Sequence, residues 1–296
     1  TWKKKKFYNK IRGLLPVNLK ITTDSTCDLS LKLIEQYKIE IVPLSIQIGE
    51  KSLKDGLEIS AQQVVDSYEK TGILAKTAAV SIGEYIEVFR KWRKQGYHVI
   101  HINISSEFSS CHQNAILAAE EIGGVTVLDS RNLSTGQGHI VIKAAKMAEE
   151  GKSPDEIKSF MEHYVNKVDA SFLLDTLTYL HKGGRCSAVA ALGANLIKLK
   201  PCIEVKNGKM SVGKKYRGDL AKCYRQYIKD RLSQIESLED ELIFITHSPC
   251  EQKIIDTAIG EVTKYNYFKD IELTTAGCTI TSHCGPNTLG ILYIKK

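Results

Sequence analysis

The chain has no run of about eighteen apolar residues, the least that spans a membrane as a helix, and no charged-apolar-small leader of the secretory type. A cytoplasmic protein without integral membrane association is expected. Its eight cysteines (Cys27, Cys111, Cys186, Cys202, Cys223, Cys250, Cys278 and Cys284) include no CxxC pair. That scatter is unlike a zinc ribbon or a small disulfide scaffold, so reduced thiols are expected. Cys278, His283 and Cys284 are the one group with metal-ligand character, yet no second ligand pair stands at finger-like spacing, and no metal is expected. Nucleotide signatures are missing too. No G-x-G-x-x-G follows the first strand-like run, the GQG of Gly136 to Gly138 lacks a third glycine, and no G-x-x-x-x-G-K-[ST] loop occurs. These absences argue against a dinucleotide cofactor and against phosphotransfer by this chain alone. The G-x-S-x-G elbow of serine hydrolases is also absent.

What is present is the composition of an ordinary globular protein. With 296 residues, 43% of them hydrophobic, the chain can build one large core or two medium ones, and two domains are expected. The formal charge of +7 would suggest a nucleic-acid partner if it were spread over the chain. Instead Lys3, Lys4, Lys5, Lys6, Lys10, Arg12 and Lys20 crowd the start with no acid among them, which leaves the remainder formally neutral. Residues 1–18 therefore read as a disordered basic tail, a solvated segment more readily than an anionic-surface tether, and no nucleic-acid partner is expected.

Strand-like and helix-like patterns alternate through residues 19–168. LKITTDS, EIVPLSIQI, HVIHINI and VTVLDS have strand character; SLKLIEQY, VVDSYEK, EYIEVFRKWRKQ and QGHIVIKAAKMAEEG have helical spacing. KSLKDG reads as turn. Ser60-x-x-Gln63 and Ser81-x-x-Glu84 are capping boxes, and Ser153-Pro154 starts another helix. This alternation predicts an α/β domain on a parallel sheet. Residues 169–296 read as a smaller α+β domain. There Asn207-Gly208 sits between two β-like runs as a hairpin turn, helices follow at LAKCYRQYIKDRLSQI and CEQKIIDTAIGEVTKY, and ELIFITH and LGILYI are strands.

The stretch NISSEFSSCHQNA, Asn103 to Ala115, lies where a strand ends and a helix begins. Ser110-x-x-Gln113 reads as a capping box. Ser105, Ser106 and Ser109 are then surplus hydroxyls at the carboxyl edge of a parallel sheet, where free backbone N–H groups favour an anionic ligand. KTAAVS, Lys76 to Ser81, offers Thr77 in a second small-residue loop before a capped helix. Together the two loops could hold one carboxylate or phosphate. Asp24, after the first strand, reads as a loop-capping Asx residue slightly more readily than as a ligand contact. A hydrolase triad of Ser109, His283 and Asp24 is the rival reading, weakened by the missing elbow.

TTDSTCDL, KTAAVS, ISSEFSSCHQNA, YLHKGGRCS and ITSHCGPNTLGI, in that order from about residue 19 to the end, resemble the motif set of the DegV family, bacterial fatty-acid-binding proteins that present acyl chains to a fatty-acid kinase. The resemblance implies a long-chain fatty acid as ligand and the kinase's catalytic subunit as partner, with no cofactor. Its carboxylate would be held by Thr77 and Ser109, with His283 near the head group, Asp24 and Ser110 in the head-group loops, and Arg185 associated with phosphorylation or kinase contact. Ala79 and Val80 stand where the family pattern has Gln and Pro, and Ser110, Cys111 and His112 where it has Gly-Thr-Tyr. The resemblance thus implies a fold with a parallel-sheet domain followed by an α+β domain, the ligand lying between them.

Overall fold

The computed structural model describes residues 18–186 and 199–296. The expectation of a disordered tail over 1–18 therefore lies, Asn18 apart, outside the described residues. The chain opens with β1 (Leu19–Asp24), α1 (Leu31–Gln36) and β2 (Glu40–Val42), and continues through β3 (Ser45–Ile48), β4 (Lys51–Lys54), α2 (Ala61–Thr71) and β5 (Lys76–Ala78). Next come α3 (Ile82–Lys94), β6 (His98–Asn103), α4 (Cys111–Ile122), β7 (Val125–Asp129), α5 (Ser134–Glu149) and α6 (Pro154–Tyr164). Then follow β8 (Val168–Leu173), α7 (Thr178–Gly183), β9 (Leu199–Lys206), β10 (Lys209–Arg217) and α8 (Leu220–Arg231). β11 (Leu242–His247), α9 (Gln252–Thr263), β12 (Asp270–Thr275), α10 (Cys278–Cys284) and β13 (Leu289–Ile294) complete the fold.

Three sheets result. The first, ordered β2-β1-β6-β7, is wholly parallel, as the alternation of strands and helices predicts. The second, ordered β10-β9-β8-β13-β11-β12, is antiparallel except for the β11–β12 pair. Its β9–β10 hairpin turns at Asn207-Gly208, as expected. The mixed α/β architecture with a parallel sheet near the start agrees with the sequence reading.

The third sheet, β4-β3-β5, departs from it. EIVPLSIQI reads as one strand but is cut at Pro43, which has no N–H for a ladder: Glu40–Val42 joins the parallel sheet and Ser45–Ile48 leaves it. KSLKDG is largely strand, because Lys51–Lys54 pairs back on Ser45–Ile48. KTAAVS is not all loop either; Lys76–Ala78 pairs antiparallel with β3. Strand β12 has no counterpart in the sequence reading. Such short strands are stabilised by their partners, not by their own pattern.

Helix starts were more legible. Ser60 and Ser81 each accept the N–H three residues on while Gln63 and Glu84 reach back, and Ser153 does the same before Pro154. Ser110 is a correction. It stands at the start of α4 with φ −75° and ψ 2°, and its side chain makes no cap bond. Ser109 takes over, its Oγ accepting the Cys111 N–H at 3.2 Å.

Helix α5 lies between the parallel and the mixed sheet, contacting β1 and β6 on one side and β8, β11 and β13 on the other. It is buried nearly all round, from Ser134 to Ala145 with the single exception of Lys143. One continuous apolar cluster accordingly runs from Ile21, Val99 and Ile102 through Ile140 and Val141 to Phe172 and Leu292. A second, around Tyr224, Tyr227 and Ile243, lies beneath α8 and α9. The GQG motif serves this packing. A Cβ on Gly138 would stand 2.8 Å from Leu29 Cδ2 and 3.0 Å from the Cys27 carbonyl oxygen. Gly138→Ala is therefore expected to destabilise the protein by about 1–3 kcal/mol by overpacking, despite alanine's better helix propensity. Urea unfolding should show a lower midpoint at unchanged slope, and an equal or higher midpoint would contradict the packing role.

Candidate functional site

A cavity of about 470 Å³ opens where the small sheet, the β6–α4 loop, α7, β10 and α10 meet. That volume is in the range of small-molecule sites. Thr77, Ser109, Ser110, Glu107, Arg185, Thr279 and His283 supply its polar lining. Leu44, Ile104, Phe108, Leu133, Leu180, Met210, Ile280 and Cys284 supply apolar wall. A further cleft of about 20 Å³ shares Leu133, Ile280 and Cys284 with it and is lined as well by Phe172, Ala276 and Leu292 and by Ser134, Thr246, Ser248 and Thr288. Polar and apolar groups from both halves of the chain thus line one cavity.

Thr77 occupies the middle of β5, paired opposite Ile46. Its Oγ1 shares a 2.9 Å hydrogen bond with Nε2 of His283, 206 residues away in the last turn of α10. The other ring nitrogen, Nδ1, is buried without a partner. It lies against Gly183, where a Cβ would collide with it. Burial, assisted by the positive charge of Arg185, pushes His283 down from the usual imidazole range to about 4. The ring is therefore neutral near pH 7. Arg185 itself is exposed, donating Nη1–H to the Gly183 carbonyl at 2.8 Å.

The serines divide their work. Ser109 lines the cavity, accepts the Cys111 N–H and donates to Cys111 Sγ at 3.2 Å. A thiol sulfur is a weak acceptor, so this hydroxyl proton is readily redirected to a better one. Ser110 lines the same cavity, exposed. Ser106 donates to Asp129 at 2.6 Å, tying the loop to the end of β7. Ser105 is buried and donates to the Gly208 carbonyl at 2.7 Å, fastening the β9–β10 turn to the parallel-sheet edge.

Asp24 is not on the cavity. It is fully buried, accepting from Thr26, from Gln137 Nε2 at 3.0 Å and from the Ile104 N–H at 2.8 Å. Desolvation raises its pKa. Through Ile104 it holds the start of the serine loop, an indirect part in place of head-group contact. The triad of Ser109, His283 and Asp24 is accordingly not assembled, since His283 is paired with Thr77 and no carboxylate orients it. Cys278, His283 and Cys284 do not converge on a metal either: Cys278 Sγ donates to the Ile59 carbonyl, and no group of three His, Cys, Asp or Glu among the described residues could hold an ion. No helix among the described residues is long and apolar enough to cross a membrane.

The apolar walls were missed by sequence reasoning. Phe108 lies inside the conspicuous serine stretch and could have been singled out, but Leu44, Leu133, Leu180, Met210 and Ile280 carry no local mark and meet only through tertiary folding.

One consequence can be measured directly. The His283 ring should show no protonation in ¹H–¹⁵N spectra recorded from pH 8 down to about 5.5, more than a unit above its lowered pKa. A titration centred near 6.5 would contradict the buried, neutral ring.

Residues 18–296 match the model of the family described as "Uncharacterised protein, DegV family". A DegV domain-containing protein of Clostridium perfringens is 32% identical over 283 residues, which cover 94% of this chain and 99% of that one. Among solved structures, a DegV family protein from Thermus thermophilus described for fatty acid binding superposes with a TM-score of 0.88 at 26% identity, over 95% of this chain and 100% of that one. A stearic acid-binding protein from Eubacterium ventriosum gives 0.84 at 25% identity, over 94% and 98%. With a family match that spans both large sheets and the whole cavity, this chain belongs to the DegV family.

Proposed function

We propose that the protein is a cytoplasmic, non-enzymatic carrier of one long-chain fatty acid, which it presents to the catalytic subunit of a fatty-acid kinase. The observation that carries this reading is that Thr77, Ser109 and His283, from three distant segments, line one cavity that also has broad apolar walls, with Thr77 and His283 hydrogen-bonded to each other. The fatty acids of the solved relatives fit such a lining. Burying a chain of about sixteen carbons supplies on the order of 10 kcal/mol of gross driving force before ordering costs. The carboxylate then needs donors, since an unpaired charge there would cancel the gain.

The hydrogen-bond pattern favours one assignment. If His283 Nε2–H donates to Thr77 Oγ1, the Thr77 hydroxyl proton is left for the carboxylate, and the unpartnered Nδ1 is a bare lone pair. The opposite tautomer would bury an N–H with no acceptor, the costlier orphan. The reading is therefore a relay from His283 through Thr77 to one carboxylate oxygen, with Ser109 on the other. Neutral donors hold the anion without a permanent ion pair. One carboxylate oxygen stays able to take the γ-phosphoryl group of ATP bound to the kinase, with ADP leaving. Arg185, exposed and lining the cavity, is the residue we assign to contact with that partner.

Thr77→Ala and Ser109→Ala should each weaken stearate binding by about 1–3 kcal/mol, the effect of removing one donor from a buried charged acceptor. The double variant should lose less than the sum, because both hydroxyls serve one head group. Isothermal titration with stearate on the four proteins decides it. Equal affinity of wild type and double variant would remove both residues from the head-group site.

A further inference from the structure

Helix α10 supplies Thr279, Ile280, His283 and Cys284 to the cavity, yet it is only two turns long and is followed at once by the turn into β13. A helix so short does not hold its own position in water; its placement must come from what it is tied to. Its first N–H groups have no partners within the helix. Two carboxyl groups from the other half of the chain receive them. Asp28 Oδ1 accepts the Gly277 N–H at 2.8 Å, and Asp28 Oδ2 accepts the Ser134 hydroxyl at 2.6 Å. Asp55 Oδ1 accepts the Cys278 N–H at 2.8 Å; its Oδ2 accepts the Thr279 N–H at 3.1 Å, the Thr279 hydroxyl at 2.6 Å and the Ser25 hydroxyl at 3.1 Å. Asp55 is 3% exposed, and all four of its donors lie outside its own segment.

Its position in the small sheet gives these bonds a direction. Asp55 directly follows β4, which pairs with β3, which pairs in turn with β5, the strand that carries Thr77. Ser25, between β1 and α1, also accepts the Leu44 N–H just before β3. Beneath the same corner Cys278 packs with Ile46, Ile59 and Val64 in a separate apolar cluster. The small sheet and α10 therefore form one wall of the cavity, joined through one carboxyl group at one end and the Thr77–His283 bond at the other.

We infer that Asp55 is a positioning residue for the head-group site: by clasping the start of α10 to the Thr77-bearing sheet, it sets the separation at which His283 meets Thr77. The inference deepens the carrier reading and rests on it for the effect on ligand, but the clasp itself is a property of the unliganded protein. Asp55→Asn is close in shape and replaces one acceptor oxygen with an amide that turns a donor toward donors. It should speed hydrogen exchange at Cys278 and Thr279 while leaving exchange in β6 unchanged, and shift the His283 Nε2 ¹⁵N resonance without ligand. Unaltered exchange and resonance would overturn the inference whether or not a fatty acid binds.

Stearate binding adds the second readout. Asp55→Asn should weaken it about tenfold, the scale of one lost hydrogen bond to a buried polar group. In a His283→Ala background the same substitution should change affinity less than about twofold, since its effect passes through His283. A tenfold loss that persists without His283 would make Asp55 a general stability residue and overturn the positioning role. If Asp55→Asn fails to fold, Ser25→Ala, which removes one donor from the same carboxyl group, should show smaller changes in the same direction, and no change in exchange or resonance would overturn the inference equally. Wild-type protein that takes up no stearate would count against the carrier reading alone, with the unliganded measurements still deciding the clasp.

Discussion

Helix α5 is enclosed by a sheet on each side, and that enclosure decides where the other parts lie. An enclosed helix cannot spare a polar face, so its sequence runs through Gly136, Gly138, Ile140, Val141, Ala144 and Ala145. Its few buried polar groups are matched one by one: Gln137 to Asp24 and Thr23, Thr135 to Thr246, and His139 to the Leu292 carbonyl. The two large sheets are thereby held as one body around a common core. A cavity lined from both halves can exist only because that spacing is kept.

At the cavity, the same logic of matched polar groups is relaxed in one place. His283 keeps an unpaired Nδ1, and Ser109 donates to a sulfur, a poor acceptor. The Ser109 proton, spent on so weak an acceptor, can pass to a better one, whereas Nδ1 is turned against Gly183 and has no donor role there. Three polar side chains of the sequence motifs have structural partners. Ser105 secures the hairpin, Ser106 the end of β7, and Asp24 the loop itself. Two of the four serines are thus architecture, while Ser109 and Ser110 line the cavity.

How much of this was legible in the sequence depended on how local the physics was. Capping boxes at Ser60, Ser81 and Ser153 and the Asn207-Gly208 turn are decided within a few residues and appear as expected. Ser110 failed because its neighbour Ser109 offers the same oxygen one step earlier, a competition that spacing cannot resolve. The strands β4, β5 and β12 have little pattern of their own; β4 is settled by the tight hairpin it makes with β3, and β5 and β12 by partners farther along the chain. Thr77 and Ser109 were legible as hydroxyls in two loops before helices, Arg185 and His283 through the family motifs, and the fold brings all four to one cavity. The apolar walls and the Asp55 clasp were invisible, being built from residues that look like any others until the chain is folded.

The central claim is that this cavity holds a long-chain fatty acid. Purified protein, denatured and extracted, should release such an acid to mass spectrometry, or, if stripped, should take up added stearate in a one-to-one ratio. Protein that yields no fatty acid and binds none when palmitate, stearate and oleate are offered would contradict the account.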